Sequence, residues 1–152
     1  ITVKEIDLSA NRGKVTMVVN TASGCGFTPQ YKNLEKLYQE FRNKGFEIIA
    51  VPSNQFGNQE PLAGNQIKEF CEINYGVSFK VADKTDVVGD KAHPFFKKIS
   101  ASKSEGGIGI SPKWNFQKYI IDKKGKVRDF YLPFTKPDSW RVKRKIEKLL
   151  EE

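Results

Sequence analysis

Cysteine and histidine are scarce in this 152-residue chain, which has two cysteines (Cys25 and Cys71) and one histidine (His93). Two thiols 46 positions apart exclude a disulfide framework. They point to a reducing compartment, hence a cytoplasmic location, with at most a transient redox bridge. The chain begins at Ile1, so a targeting segment trimmed from upstream stays open. With one histidine, no Cys/His cluster has zinc-ligand spacing, and neither a metal nor a cofactor is expected. No apolar run approaches the ~20 residues of a membrane-spanning helix. Internal repeats and low-complexity segments are also lacking.

What is present reads as one domain over residues 1–152, with 38% hydrophobic and 29% charged residues. The net charge of +8 is one-sided: residues 1–76 hold eight charges of each sign, so the whole excess falls in residues 77–152. Such a bias suits nucleic acid, an anionic membrane surface or a small anionic substrate, and equally a solvated basic face on the last helix. The aromatic hairpin with Phe130, Tyr131 and Phe134 beside Lys126, Arg128 and Lys136 carries no RNA-binding signature, so no nucleic-acid partner is expected.

Lys14–Asn20 and Phe46–Val51 are short, apolar, β-branched runs that suit strands covered on both faces. Between them, Leu34, Leu37, Tyr38 and Phe41 recur at helical spacing after Pro29 and stop near Gly45. Ile67, Phe70 and Cys71 mark a second helix over Gly64–Tyr75, and Pro94–Ile99 a third. Ser100–Pro112 reads as a surface loop. Phe116–Asp122 and Lys126–Leu132 form a hairpin. Asp138 or Ser139 caps a last helix whose stripe is Val142, Ile146, Leu149 and Leu150. The order predicts an α/β fold: a central mixed sheet with helices on both faces.

The segment Ala22–Thr28, A-S-G-C-G-F-T, sets Cys25 between two glycines where a strand ends and a helix is about to begin. Backbone N–H groups and the positive end of the helix dipole favour thiolate there, against the plain alternative of a small buried hydrophobe. Two more segments fall near strand ends, where open α/β sheets place their sites. One is the amide-rich stretch Val51–Pro61, with Asn54, Gln55, Asn58 and Gln59; the other is Lys113–Phe116, with Trp114 and Asn115. Asn54 reads as a turn former and His93 as a helix-entry residue with a satisfied ring. The glycines flanking Cys25 and Gly107-Ile108-Gly109 lack the spacing of a phosphate loop.

Together these motifs resemble the glutathione peroxidase family, of thioredoxin-like fold. The resemblance runs through V-V-N-T-A-S-G-C-G-F-T-P-Q-Y at Val18–Tyr31, N-Q-F-G-N-Q-E-P at Asn54–Pro61, K-T-D-V-V-G at Lys84–Gly89, A-H-P at Ala92–Pro94 and K-W-N-F at Lys113–Phe116. It implies a peroxidase with Cys25 at the peroxidatic position, or selenocysteine there in the native chain. Gln59, Trp114 and Asn115 complete the implied catalytic set. Their side chains are neutral N–H donors, suited to a thiolate and then to the departing oxyanion. The substrates implied are hydrogen peroxide and organic hydroperoxides, lipid hydroperoxides among them.

The product is a sulfenic acid that a second thiol reduces, with glutathione or another external thiol as the expected donor. The thioredoxin-using branch often carries cysteine where this chain has Ser53. Its resolving cysteine lies in the helix that holds Cys71, so a thioredoxin-dependent cycle through Cys71 is the alternative. The apolar company of Cys71 favours a core role. Lacking the long insertion between His93 and Trp114 that accompanies tetramers, the chain is expected to be a monomer or small homo-oligomer. A silent basic interaction module on the same scaffold is the rival from outside enzymology. A disulfide oxidoreductase is disfavoured because Cys25-Gly26-Phe27-Thr28 has no second cysteine.

Overall fold

A computed structural model describes residues 2–3, 11–101 and 110–152. Its strands are β1 (Thr2–Val3), β2 (Val15–Thr21), β3 (Phe46–Pro52), β4 (Lys80–Ala82), β5 (Lys118–Ile121) and β6 (Val127–Tyr131). Its helices are α1 (Gln30–Phe41, extended by a 3-10 turn at Arg42–Lys44), α2 (Asn65–Tyr75), α3 (Pro94–Ala101) and α4 (Trp140–Leu150). They form a mixed sheet of order β1-β4-β3-β2-β5-β6, in which only β5 runs against the others.

The two central strands follow from their composition. Every residue of β2 and β3 is buried, and alternate side chains serve opposite faces of the sheet. Val15, Met17 and Val19 meet α1, α2 and α4 through Leu34, Leu37, Ile67, Val142 and Ile146, while Val18 and Ile49 meet Phe96 and Ile99 of α3. Helices thus lie on both faces, as the pattern predicts. On α4, Val142, Ile146 and Leu149 are fully buried, each worth about 1.5–3 kcal/mol against exposure.

Some details differ from the sequence reading or lie beyond it. β1 and β4 carry no legible pattern in the sequence, being two and three residues long, below the length at which alternation can be read. Ser139 holds the cap position of α4, but its hydroxyl makes no capping bond. The Asp138 carboxylate instead accepts from Asn33 Nδ2 at 3.0 Å. The expected loop Ser100–Pro112 lies largely outside the described residues, as does Gly107-Ile108-Gly109.

Register gathers the ends that matter. Thr21 pairs with Pro52, and Val19 with Lys118. The ladders then run past the strand ends: Ser53 N–H donates to Thr21 O at 3.0 Å and Phe116 N–H to Asn20 O at 2.6 Å. The segments after β2, after β3 and before β5 therefore leave the sheet side by side.

Candidate active site

Cys25 sits in the turn between β2 and α1, 8% exposed. Thr28 builds that turn. Its hydroxyl donates to Ala22 O at 2.8 Å and accepts the Cys25 N–H at 2.9 Å, while its own N–H donates to Cys25 O at 3.0 Å. The Phe27 N–H then points at the sulfur, with N···Sγ at 3.4 Å. A backbone dipole thus faces the sulfur one turn before α1 begins.

Gln59 reaches this turn by its main chain, its carbonyl accepting the Gly24 N–H at 2.8 Å. The approach is close, since a Cβ on Gly24 would stand 3.1 Å from the same oxygen. By its side chain Gln59 meets Asn115: Asn115 Nδ2 donates to Gln59 Oε1 at 3.0 Å and to Phe56 O at 3.3 Å. With Oε1 taken as acceptor, the Gln59 Nε2 is left to donate elsewhere.

Trp114 is half-buried and rests on the loop after β3. Its ring stacks at a tilt on Phe56, centroids 5.8 Å apart. It also covers Gly57, where a Cβ would come within 2.9 Å of the indole. Asn20, from the end of β2, fixes the segment by donating from Nδ2 to Trp114 O at 2.8 Å. The turn from Asn115 into β5 is strained: Phe116 has φ +68, a region costly for a bulky side chain. Full burial of its ring, edge-on to Tyr31 at 5.3 Å, holds it there.

The structure therefore unites Gln59 with Asn115, joins Gln59 to the Cys25 turn, and lays Trp114 on the same loop. Cys71 is set apart. It lies fully buried on α2 against Tyr31, and burial pushes its thiol up to about 11. Both cysteines are free. His93 behaves as expected at a helix entry, its Nδ1 accepting the Phe95 N–H at 3.2 Å. Asn54 closes its turn by accepting the Glu60 N–H at 3.0 Å. The sequence reading missed Thr28, Gly57 and Asn20, whose roles are local to the folded loops. A Thr-Pro pair before a helix was the one available signal for Thr28. No helix among the described residues is long and apolar enough to cross a membrane.

Comparison with known proteins places the chain in a family. The family model described as glutathione peroxidase matches residues 1–100. The chain is 49% identical to the glutathione peroxidase-like peroxiredoxin HYR1 of Saccharomyces cerevisiae, over 93% of this chain and 85% of that one. It is 46% identical to the hydroperoxy fatty acid reductase gpx1 of Synechocystis, over 91% and 83%. Among solved structures, apo Trgpx matches with TM-score 0.74 and 38% identity, over 98% of this chain and 88% of that one. A putative thiol:disulfide interchange protein DsbE from Chlorobium tepidum, 20% identical with TM-score 0.64 over 95% and 86%, shares the thioredoxin-like fold. The chain belongs to the glutathione peroxidase family.

Proposed function

We propose that this thiol peroxidase reduces hydrogen peroxide and organic hydroperoxides through Cys25, with Gln59 and Trp114 as donors and Asn115 orienting Gln59. The Cys25 thiolate attacks one peroxide oxygen and the O–O bond breaks. Sulfur is oxidised to sulfenic acid, and the other oxygen leaves as hydroxide or alkoxide and takes up a proton. The Gln59 Nε2 and the Trp114 indole N–H stabilise that leaving charge without a fixed counter-ion. One external thiol then displaces water from the sulfenic acid to form a mixed disulfide, and a second releases Cys25 and a disulfide product.

The observation that carries this reading is the Phe27 N–H directed at Cys25 Sγ, in a turn tied to the Gln59 main chain, with the Gln59 side-chain amide held by Asn115. For the reductant we favour glutathione or a similar small anionic thiol, drawn by the basic second half of the chain. The relative named a hydroperoxy fatty acid reductase supports an extension to lipid hydroperoxides. A cycle through Cys71 with thioredoxin is the second reading. It is favoured by the relatives named peroxiredoxins and opposed by a fully buried thiol held high by burial. We further infer a single domain acting as a monomer or small homo-oligomer in the cytoplasm, without metal or cofactor.

Assays with glutathione or thioredoxin as sole donor, on the natural chain and Cys71→Ser, separate the two cycles. Glutathione-driven turnover that survives Cys71→Ser supports direct reduction. Thioredoxin-driven turnover that disappears with Cys71→Ser assigns the cycle to both cysteines. Peroxide consumption by Cys25→Ser would refute the whole reading.

A further inference from the structure

Glu60 is an ionisable side chain withdrawn from solvent. It is fully buried, one residue beyond Gln59, and a carboxylate there carries a desolvation cost that must be offset by its contacts. Its side chain reaches across to the loop that carries Cys25. Ser23 Oγ–H, two residues from Cys25, donates to Glu60 Oε2 at 3.0 Å. The Glu60 N–H donates to Asn54 Oδ1 at 3.0 Å, and Lys84 Nζ donates to the Glu60 carbonyl at 3.0 Å. Directly beside it, Gly24 N–H donates to Gln59 O. Two parallel links therefore bind Ser23–Gly24 to Gln59–Glu60. The second carboxylate oxygen, Oε1, makes no hydrogen bond.

We propose that Glu60 is a positioning residue whose buried carboxylate latches the Cys25 turn to Gln59, and that the latch loosens when the carboxylate takes up a proton. The inference rests on the reading of Cys25 and Gln59 as the peroxide-reducing pair. An ionised carboxylate accepts the Ser23 hydroxyl strongly, whereas a carboxylic acid is a weaker acceptor. Burial raises the Glu60 proton affinity, opposed by the Ser23 hydroxyl, the Leu62 backbone N–H and Lys84 beyond β4. Tyr31 of α1 and Cys71 of α2 are the other titratable groups facing it, and neither ionises in the acid-to-neutral range.

Activity and stability then respond to pH in opposite directions. Because the folded carboxyl binds its proton more tightly than the unfolded one, ionised Glu60 destabilises the fold above its folded pKa. That penalty disappears as pH falls through it. Activity does the reverse, since the latch needs the carboxylate. A purely structural glutamate would lose activity and stability together.

The test is the rate of Cys25 oxidation by hydrogen peroxide across acid to neutral pH, with melting temperatures measured in parallel. Glu60→Gln is expected to be slower by roughly tenfold or more at neutral pH, the scale of a misplaced reacting group. Its rate deficit against the natural chain is also expected to shrink as pH falls and the natural latch loosens, while the melting temperature of the natural chain gains on it. Ser23→Ala removes the donor that favours the carboxylate, so it is expected to move the limb to higher pH. Should Glu60→Gln fail to fold, Ser23→Ala alone decides: a shifted limb supports the latch and an unmoved one overturns it. A Glu60→Gln protein with the natural rate and an unchanged limb overturns it as well. If Cys25→Ser is inert in the same assay, that failure belongs to the latch and leaves the peroxidase reading intact.

Discussion

The two thiols of this chain sit on the same face of one sheet, yet their surroundings are opposite. Cys25 lies in an irregular turn with a backbone N–H aimed at sulfur and two neighbouring loops meeting it through Gln59. Cys71 lies in the middle of α2, sealed among apolar side chains and Tyr31, with its thiol raised to about 11. At neutral pH a thiol so raised is almost wholly protonated, and it is the thiolate that reacts. The two sulfurs differ in the backbone and burial around them, which residue type alone does not distinguish.

The largest effect that sharpens the comparison is removal of either sulfur. Cys25→Ser is expected to reduce peroxide consumption to background, whereas Cys71→Ser leaves single-turnover oxidation by peroxide within about twofold, since its raised thiol takes no part in the first step. Alkylation of the folded, reduced protein followed by peptide mapping should label Cys25 and spare Cys71 until denaturant is added. Rapid labelling of Cys71 in the folded state would break the contrast.

Next in size are the uncharged donors. Gln59→Ala and Trp114→Phe are each expected to slow oxidation of Cys25 on the order of 10²-fold, the usual cost of one lost oxyanion donor. Asn115→Ala acts through the orientation of Gln59 and, combined with Gln59→Ala, should cost little beyond the single change. Full additivity in stopped-flow rates would separate the two residues.

Gly57→Ala probes packing on the same side. An added Cβ meets the Trp114 ring at 2.9 Å, and φ is +68 there. A rate loss of roughly tenfold is expected with a small fall in melting temperature, because strain of about 1–3 kcal/mol is in play. An unchanged rate would show that the Trp114 position is not critical.

The smallest effect concerns Lys118, fully buried at the start of β5, where Nζ donates to the carbonyls of Pro133 at 2.9 Å and Thr135 at 2.5 Å. Burial pushes it down to about 7, against ~10.4 in the unfolded chain. Between those values the unfolded state binds more protons, so this group's contribution to stability rises with pH. The melting temperature of the natural chain should therefore gain on that of Lys118→Met as pH is raised from 7 towards 10. A flat difference would place the folded value elsewhere.

Much of this was legible beforehand, for physical reasons that differ by region. β2 and β3 are buried on both faces and are mostly apolar, which leaves a plain signal. β4 has three residues and draws its place from pairing with β3, so its sequence says little. Cys25, Gln59, Trp114 and Asn115 stand in short distinctive strings. The contacts that position them do not: Ser23 meets Glu60 across 37 residues and Asn20 meets Trp114 across 94. Such partners are common polar residues that acquire meaning only once the loops are brought together.

Mixing fully reduced protein with one equivalent of hydrogen peroxide and identifying the oxidised residue by mass spectrometry tests the central claim most directly. The account predicts one equivalent consumed and oxygen added at Cys25, unchanged in Cys71→Ser and abolished in Cys25→Ser. Oxidation appearing first at Cys71, or consumption that persists without the Cys25 thiol, would contradict it.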